Sequence, residues 1–356
     1  MRVLHVIADI GVSNGVMSVV LNYAKAMPDD IKFDVVYLMD NPKDRRKDIE
    51  AYGGNVYKLG KSPLDVLKLK FYGFFKNHKD TWNVVHIHIP YFSAFIVPVA
   101  KLFGVKKVCC HCHSTLFSLN PNNVKINQIL NIPTKFIVDK RFACGEKAGE
   151  YWYGKNFTVI KNAVDCEKFK YDKDKRAKVR EALGFKNELI IGHIGRTDIS
   201  QKNHSFLLEM FSFIRQSNSD ARLMLIGGEK TDSLEEQCKK LKIDDSVLFL
   251  GLRADVDFLL QAVDVFVFPS TFEGLPLSVV EAQAAGIPVL MSDSITDEVV
   301  VTDELCKMSL TDAPSMWAEK AIELSKQKKK DNFEIMKSAG WDIFDSANRL
   351  VEYYRG

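Results

Sequence analysis

The stretch Val263-Asp264-Val265-Phe266-Val267-Phe268-Pro269-Ser270-Thr271-Phe272-Glu273-Gly274-Leu275-Pro276-Leu277-Ser278-Val279-Val280-Glu281-Ala282 decides how the rest of the chain is read. Residues 263–268 form an apolar run of the kind found in a buried parallel strand. Gly274 and Pro276 then break the strand, and Pro276 suits the first turn of a helix, where a missing N–H is harmless. Glu281 falls about one turn inside that helix. A strand, a tight turn and a fresh helix N-terminus aim backbone N–H groups at one spot, which favours an anion. Glu273 and Glu281 flank that spot, and carboxylates accept hydrogen bonds from hydroxyl-rich partners. The combination predicts a pocket for a phosphorylated sugar.

Working outward, short β-branched runs alternate with amphipathic helical stretches from end to end. Strands are predicted at residues 3–8, 34–37, 55–59, 84–88, 107–111, 136–143 and 157–160, then at 189–195, 221–226, 247–250 and 263–268. Helices are predicted at 15–26, 64–78, 93–103, 205–217, 233–241 and 277–285. Such alternation implies α/β architecture, with parallel sheets covered on both faces. At 356 residues the chain is long enough for about two domains. The break is expected near Asn162-Ala163-Val164-Asp165, between an apolar strand and the charged stretch 167–181. The expected domains are 1–164 and 165–335, with a C-terminal helix in 336–356 packing back on the first. Doubly wound sheets bind ligands at the carboxyl ends of their strands, so two facing domains would enclose a cleft.

Bulk composition excludes several classes. The chain is 46% hydrophobic and 27% charged, and its net charge of +3 comes from 49 basic and 46 acidic residues. That balance argues against nucleic acid as a partner. Seven cysteines without framework spacing suit reduced thiols in a cytosol better than a disulfide scaffold. The N-terminus reads as a first strand rather than a signal peptide, and the longest apolar segments fall short of the roughly 20 residues that span a bilayer. The expectation is a cytoplasmic protein that touches a membrane, if at all, from its inner face.

A second constellation is Gly195-Arg196 followed by Lys202-Asn203. Two cations at a strand's carboxyl end suit a diphosphate, with arginine offering a fork and lysine a point charge; a solvated loop pair would look the same in isolation. The first loop, 10–17, puts Gly15 at a helix start, where a ligand could approach the backbone, but it matches neither a dinucleotide fingerprint nor a Walker loop, and a plain turn explains it equally well. His111 and His113 share one side of their strand, as do His86 and His88. Cys109, Cys110 and Cys112 lie near, but the spacing is not that of a zinc site, and packed or hydrogen-bonded histidines are the preferred reading. His113 ends its strand, at the edge where such sheets carry chemistry. Residues 64–79 place Leu64, Leu67, Phe71, Phe74 and Phe75 on one helical face, with Lys68, Lys76 and Lys79 on one flank and Lys70 on the other. This reads as a sheet-covering helix or as a basic amphipathic helix resting on anionic lipid.

These residues resemble the retaining glycosyltransferases of family 4, and among them the bacterial exopolysaccharide and capsule transferases. The family's E-x7-E signature reads as Glu273 to Glu281 within P-S-x-x-E-G-L-P. Its phosphate loop reads as Gly195-Arg196 with Lys202-Asn203-His204, and its base-contacting turn as 251–256. The resemblance covers nearly the whole chain and is strongest over 189–295. It implies the GT-B fold of two facing Rossmann-like domains, an acceptor-binding N-terminal one and a nucleotide-sugar-binding C-terminal one. It further implies that Arg196 and Lys202 hold the donor diphosphate, that Glu281 takes the ribose hydroxyls, and that Glu273 with the Gly274–Leu275 backbone faces the transferred hexose or its phosphate. Arg253 would lie beside the nucleobase, Gly15 near the phosphates, and His113 by the sugar or reacting centre. No metal or other cofactor is expected. Departures are Asn162-Ala163 where the family has Asn-Gly, Gly227-Gly228-Glu229 where Gly-Asp-Gly is common, and Ser13-Asn14-Gly15 where many relatives have paired glycines.

The expected reaction moves a hexose from a nucleotide diphosphate sugar, either UDP-hexose or UDP-N-acetylhexosamine, to a hydroxyl of a saccharide acceptor that is lipid-linked. Two other readings stay open. A non-hydrolysing sugar-nucleotide epimerase would turn over without acceptor and exchange a proton with solvent. A non-catalytic sugar-nucleotide-binding partner of another transferase would bind donor but transfer nothing alone.

Overall fold

The computed structural model describes residues 1–12, 14–60, 70–118, 120–197 and 200–356. The chain divides into two compact units, Met1–Ala163 with Asp342–Gly356, and Val164–Trp341. Among the described residues each unit is built on one sheet, and every strand pair in both sheets is parallel.

The first sheet comprises β1 (Arg2–Ile7), β2 (Lys32–Tyr37), β3 (Val56–Lys58), β4 (Val84–Ile87), β5 (Lys107–Cys112), β6 (Lys140–Ala143) and β7 (Thr158–Val159), in the order β3-β2-β1-β4-β5-β6-β7. The second comprises β8 (Ile190–Ile194), β9 (Arg222–Ile226), β10 (Val247–Phe249), β11 (Val265–Phe268), β12 (Val289–Ser292) and β13 (Leu305–Met308), in the order β10-β9-β8-β11-β12-β13. In both, the winding runs outward from the first strand in one direction and then resumes on its other side. This creates a switch point between β1 and β4, and another between β8 and β11. Chain leaving the carboxyl ends of the two switch strands diverges to opposite faces and leaves a crevice where a ligand can sit.

Burial explains why the strands read as unbroken apolar runs rather than alternating ones. Val265, Phe266, Val267 and Phe268 are all wholly buried because helices cover both faces. In the second unit Phe266 and Phe268 pack with Val279, Val280 and Trp341 on one side, while Val265 and Val267 pack with Phe211 and Trp317 on the other.

Three details differ from the sequence reading. Residues 136–143 are not one strand: Thr134–Ile137 is helical and the strand begins at Lys140. Pro133 already has right-handed helical dihedrals and starts that turn, overriding the aromatic and β-branched content. Pro276 is the residue before the helix Leu277–Ala284, with extended dihedrals, and not its first turn. The second unit runs on to Trp341, beyond residue 335, since Met336 and Trp341 are buried in its core. The helix Ile343–Arg355 belongs to the first unit, where Tyr354 Oη meets His86 Nδ1 at 2.7 Å and Lys107 Nζ donates to the Tyr353 carbonyl at 2.8 Å. Ala163 follows Asn162 without entering the left-handed region, so alanine stands there unstrained.

Candidate active site

In the second unit the loops after β8 and β11 meet across the switch point. The Thr271 N–H donates to the Gln201 carbonyl at 2.9 Å, and Gln201 Nε2 donates to the Phe272 carbonyl. Lys202 Nζ lies 2.6 Å from Glu273 Oε1, with both side chains about 15% exposed, and stands 4.8 Å above the Phe268 ring. The lysine is thus held by an aromatic face and a carboxylate at the mouth of the crevice.

The loop after β9 closes the same region. Gly227 has φ +101°, a conformation that disfavours side chains, and a Cβ at Gly228 would stand 2.4 Å from Thr197 Oγ1. Thr197 Oγ1 donates to the Glu229 carbonyl at 2.7 Å, and the Gly195 N–H to the Ile226 carbonyl at 2.8 Å. The departure at 227–229 therefore keeps the glycine where the backbone needs it. Arg196 follows Gly195 in this loop and is partly buried. Gly274 and Leu275, also partly buried, lead into the helix Leu277–Ala284, whose first N–H groups receive no side-chain cap from Pro276.

Arg253 and Glu281 have other charged neighbours. Arg253 makes a two-point pair with Asp255, at 2.8 and 2.6 Å, beyond the end of β10. Two residues on, Asp257 binds Lys168 at 2.8 Å, and this pair is the charged surrounding of Glu281. Burial pushes the Glu281 carboxyl up to about 7; Lys168 opposes that shift and Asp257 adds to it. The folded protein therefore keeps this proton up to about pH 7, whereas the unfolded chain releases it near the ordinary glutamate value of 4.5. Stability is lost as pH rises between those values, and the loss is complete above about 7. Glu281→Gln is expected to raise the melting temperature at about pH 8 and to leave it nearly unchanged at about pH 4. Calorimetry at the two pH values checks this; an equal change at both would remove the buried-acid reading.

In the first unit the candidates again stand at the switch strands. Asn14 caps the helix Gly15–Ala26 by accepting from the Met17 N–H at 3.1 Å, and its Nδ2 donates to Asp9 Oδ2 at 2.8 Å. Gly15 is exposed, has no positive φ, and a Cβ there would meet nothing within 4 Å. Neither packing nor conformation demands glycine there.

His113, by contrast, ends a chain of buried rings. Parallel register sets His5 level with His86, and Ile87 level with Cys110, so the histidines of β1, β4 and β5 line one face. Asn162 Oδ1 lies 2.9 Å from His113 Nδ1, His113 Nε2 lies 2.7 Å from His88 Nδ1, and His88 Nε2 lies 2.9 Å from His5 Nδ1. An amide oxygen only accepts, so in this arrangement each ring carries its proton on Nδ1 and donates along the row. Burial holds His113 down to about 4 and His5 to about 3, and pushes His88 well below its ordinary value, so the row is neutral. Two groups, His5–His86–His88 and His88–His111–His113, are close enough to share an ion. Their rings lie within 30° of parallel.

Of the site residues read from the sequence, Lys202 and Glu273 are in contact, while Arg253 pairs with Asp255 and Glu281 has Lys168 and Asp257 as its charged surroundings. The sequence reading misses Asn162 as a partner of His113, and Lys168 with Asp257 as partners of Glu281. The alternation that puts His86 with His88 and His111 with His113 is the one sequence signal for the row. Of the basic stretch 64–79, residues 64–69, including Leu64, Leu67 and Lys68, lie outside the described residues. The helix Lys70–Asn77 buries Phe71, Phe74 and Phe75, with Phe74 stacked on Trp82 at 5.4 Å. Those phenylalanines are used inside the protein. Among the described residues, no helix is long and apolar enough to cross a membrane.

Residues 188–327 match the family described as glycosyl transferases group 1. EpsF of Bacillus subtilis (strain 168), assigned to the glycosyltransferases, is 30% identical over 99% of this chain and 96% of its own. An Escherichia coli protein named UDP-Gal:alpha-D-GlcNAc-diphosphoundecaprenol alpha-1,3-galactosyltransferase is 30% identical over 64% of this chain and 62% of its own. Among solved structures, Anabaena Alr3699/HepE in complex with UDP superposes with a TM-score of 0.81 at 18% identity, covering all of both chains. The two parallel-sheet, Rossmann-like domains are those of the GT-B fold, and the chain belongs to the group 1 glycosyltransferases.

Proposed function

We propose that the protein is a retaining hexosyltransferase of family 4, moving a hexose from a UDP-sugar to a hydroxyl of a lipid-linked saccharide during synthesis of surface polysaccharide. The observation that carries the reading is the Lys202–Glu273 pair at the second switch point, set beside the loop that holds Arg196. The names of the E. coli relative, which acts on a diphosphoundecaprenol-linked sugar, and of the UDP-bound HepE structure support the choice of donor and acceptor class.

In this reading the bond between the anomeric carbon and the β-phosphate oxygen breaks as the acceptor oxygen bonds to the same carbon on the same face. The acceptor's proton passes to the departing phosphate oxygen. Negative charge grows on the diphosphate, and Arg196, Lys202 and the uncapped N–H groups of the helix Leu277–Ala284 stabilise it in place of a metal. Glu273 faces the hexose, Glu281 accepts from the ribose hydroxyls, and Arg253 lies at the base. Gly15 admits the phosphates, and the first unit presents the acceptor near His113. The enzyme works on the cytoplasmic side of the membrane.

The test is a screen of nucleotide sugars by thermal shift followed by transfer assays, since a specific donor raises the melting point by mass action. Glu281→Gln is expected to raise KM for the donor about tenfold, the loss of one hydrogen bond to a charged group. Glu273→Gln should mainly lower kcat. Wild-type kinetics in both variants would reject both roles, and turnover without acceptor would turn the reading to an epimerase.

A further inference from the structure

The helix Pro121–Asn131 turns an apolar stripe outward. Its trace continues through Ile132 and Pro133, both with right-handed helical dihedrals, into the helix Thr134–Ile137. The side turned to the protein sets the half-buried Val124 and Leu130 beside polar anchors: Asn127 Nδ2 donates to the Phe117 carbonyl at 2.8 Å, Asn131 Nδ2 to the Trp152 carbonyl at 2.8 Å, and Thr134 Oγ1 to the Pro90 carbonyl at 2.9 Å. The side turned away carries Ile126, Ile129, Ile132 and Phe136, which are 55, 65, 55 and 82% exposed. Their spacing of three, three and four residues lays them along one stripe. Water alone would favour the opposite arrangement, with isoleucines inward and amides outward. An apolar face held outward by buried polar anchors calls for an apolar phase outside the protein.

Charge identifies that phase. No Asp or Glu occurs between Asp80 and Asp139, while Lys101, Lys106, Lys107, Lys125 and Lys135 fall within that span. Lys125 and Lys135 are exposed on the helical segment itself, and Arg141 Nη1 donates to the Lys135 carbonyl at 2.9 Å. Asp139, the first acid beyond, is engaged by Lys101 at 2.7 Å and by the Val108 N–H at 2.6 Å. A second copy docking through the same face would set these cations against their own kind. An anionic lipid surface would accept them among its headgroups and take the isoleucines and Phe136 below.

We infer that residues 121–137 form the face by which this protein rests on an anionic bilayer. The inference deepens the proposed function, since the segment lies in the connection that leaves β5 after His113, and a lipid-linked acceptor would reach the site from the surface on which the protein sits. It replaces the lysine-bearing helix of residues 64–79, whose described phenylalanines are buried, as the membrane-facing element.

The test is flotation with phosphatidylcholine vesicles, with and without phosphatidylglycerol, comparing wild type with Ile129→Asp, Phe136→Asp and with Lys125→Glu, Lys135→Glu. Wild type should float with the anionic vesicles and be released by salt. Both double variants should lose vesicle binding at least tenfold while keeping the wild-type melting temperature and wild-type transfer to a short water-soluble acceptor. Wild type failing to float, or floating variants, would overturn the proposal. So would a concentration-dependent dimer abolished by Ile129→Asp, Phe136→Asp in a protein that binds no vesicles. Normal flotation with no transfer to any acceptor would leave this face standing and reject the proposed function instead.

Discussion

Replacing Arg196 and Lys202 together with alanine is expected to lower donor turnover by roughly two to four decades. Hydrogen bonds to charged groups contribute about 1.5–3 kcal/mol each, and each decade in rate corresponds to about 1.4 kcal/mol. Both cations are proposed to act on the diphosphate, where charge grows as the sugar leaves, so the loss should fall mainly on kcat. Lys202 has a second role that must be separated from this. It neutralises Glu273 at 2.6 Å where both side chains are largely buried. Removing it strands a carboxylate, which costs several kcal/mol of stability. The companion variant Arg196→Ala, Lys202→Met, Glu273→Gln removes the stranded charge and should regain stability without regaining turnover. Single-turnover rates and thermal melts on both variants make the distinction. Near-normal turnover in a folded double variant would remove the diphosphate assignment.

The largest effect on stability is expected from Asp34→Ala. This carboxylate is wholly buried and accepts from Arg2, with Nε at 2.7 Å, from Trp82 Nε1 at 2.7 Å and from the Asn55 N–H at 2.7 Å. It ties β1, β2 and the start of β3 together. Its removal leaves three donors without an acceptor, one of them a guanidinium, for a loss of about 3–5 kcal/mol. For a unit of this size that is a fall of about 10 °C in melting temperature. Asp34→Asn should not rescue the protein, because its amide N–H would face the same donors. The second unit has a comparable anchor in Asp264, which accepts from Arg176 at 2.5 Å and from the Ile190 N–H at 2.8 Å. Calorimetry checks the Asp34 prediction, and a fall of less than about 2 °C would contradict it.

The histidine row and the Lys202–Glu273 pair mark where sequence reasoning reaches its limit. Alternation along a strand puts His86 with His88 and His111 with His113 on one side, but it cannot say that β1 and β4 are neighbours. Only that adjacency brings His5 to His88 and completes the line to Asn162. The turn at 134–137 was equally out of reach, since Phe136 and the β-branched residues around it suit a strand until Pro133 starts a helix. The outward apolar stripe of 126–136 is equally hidden in the string, because nothing local tells which side is covered.

The amino-acid sequence by itself determined the α/β class, two parallel-sheet units, and the strand–turn–helix elements that carry Arg196, Lys202, Glu273 and Glu281. Each of these follows from periodicity, from proline and glycine chemistry, and from charges within a few positions of one another. Tertiary structure alone decided that Lys202 pairs with Glu273, that burial lifts the Glu281 carboxyl to about 7, and that the isoleucines of 126–132 face outward. These depend on strand order and on which face is covered, and those are set by packing between residues far apart along the chain.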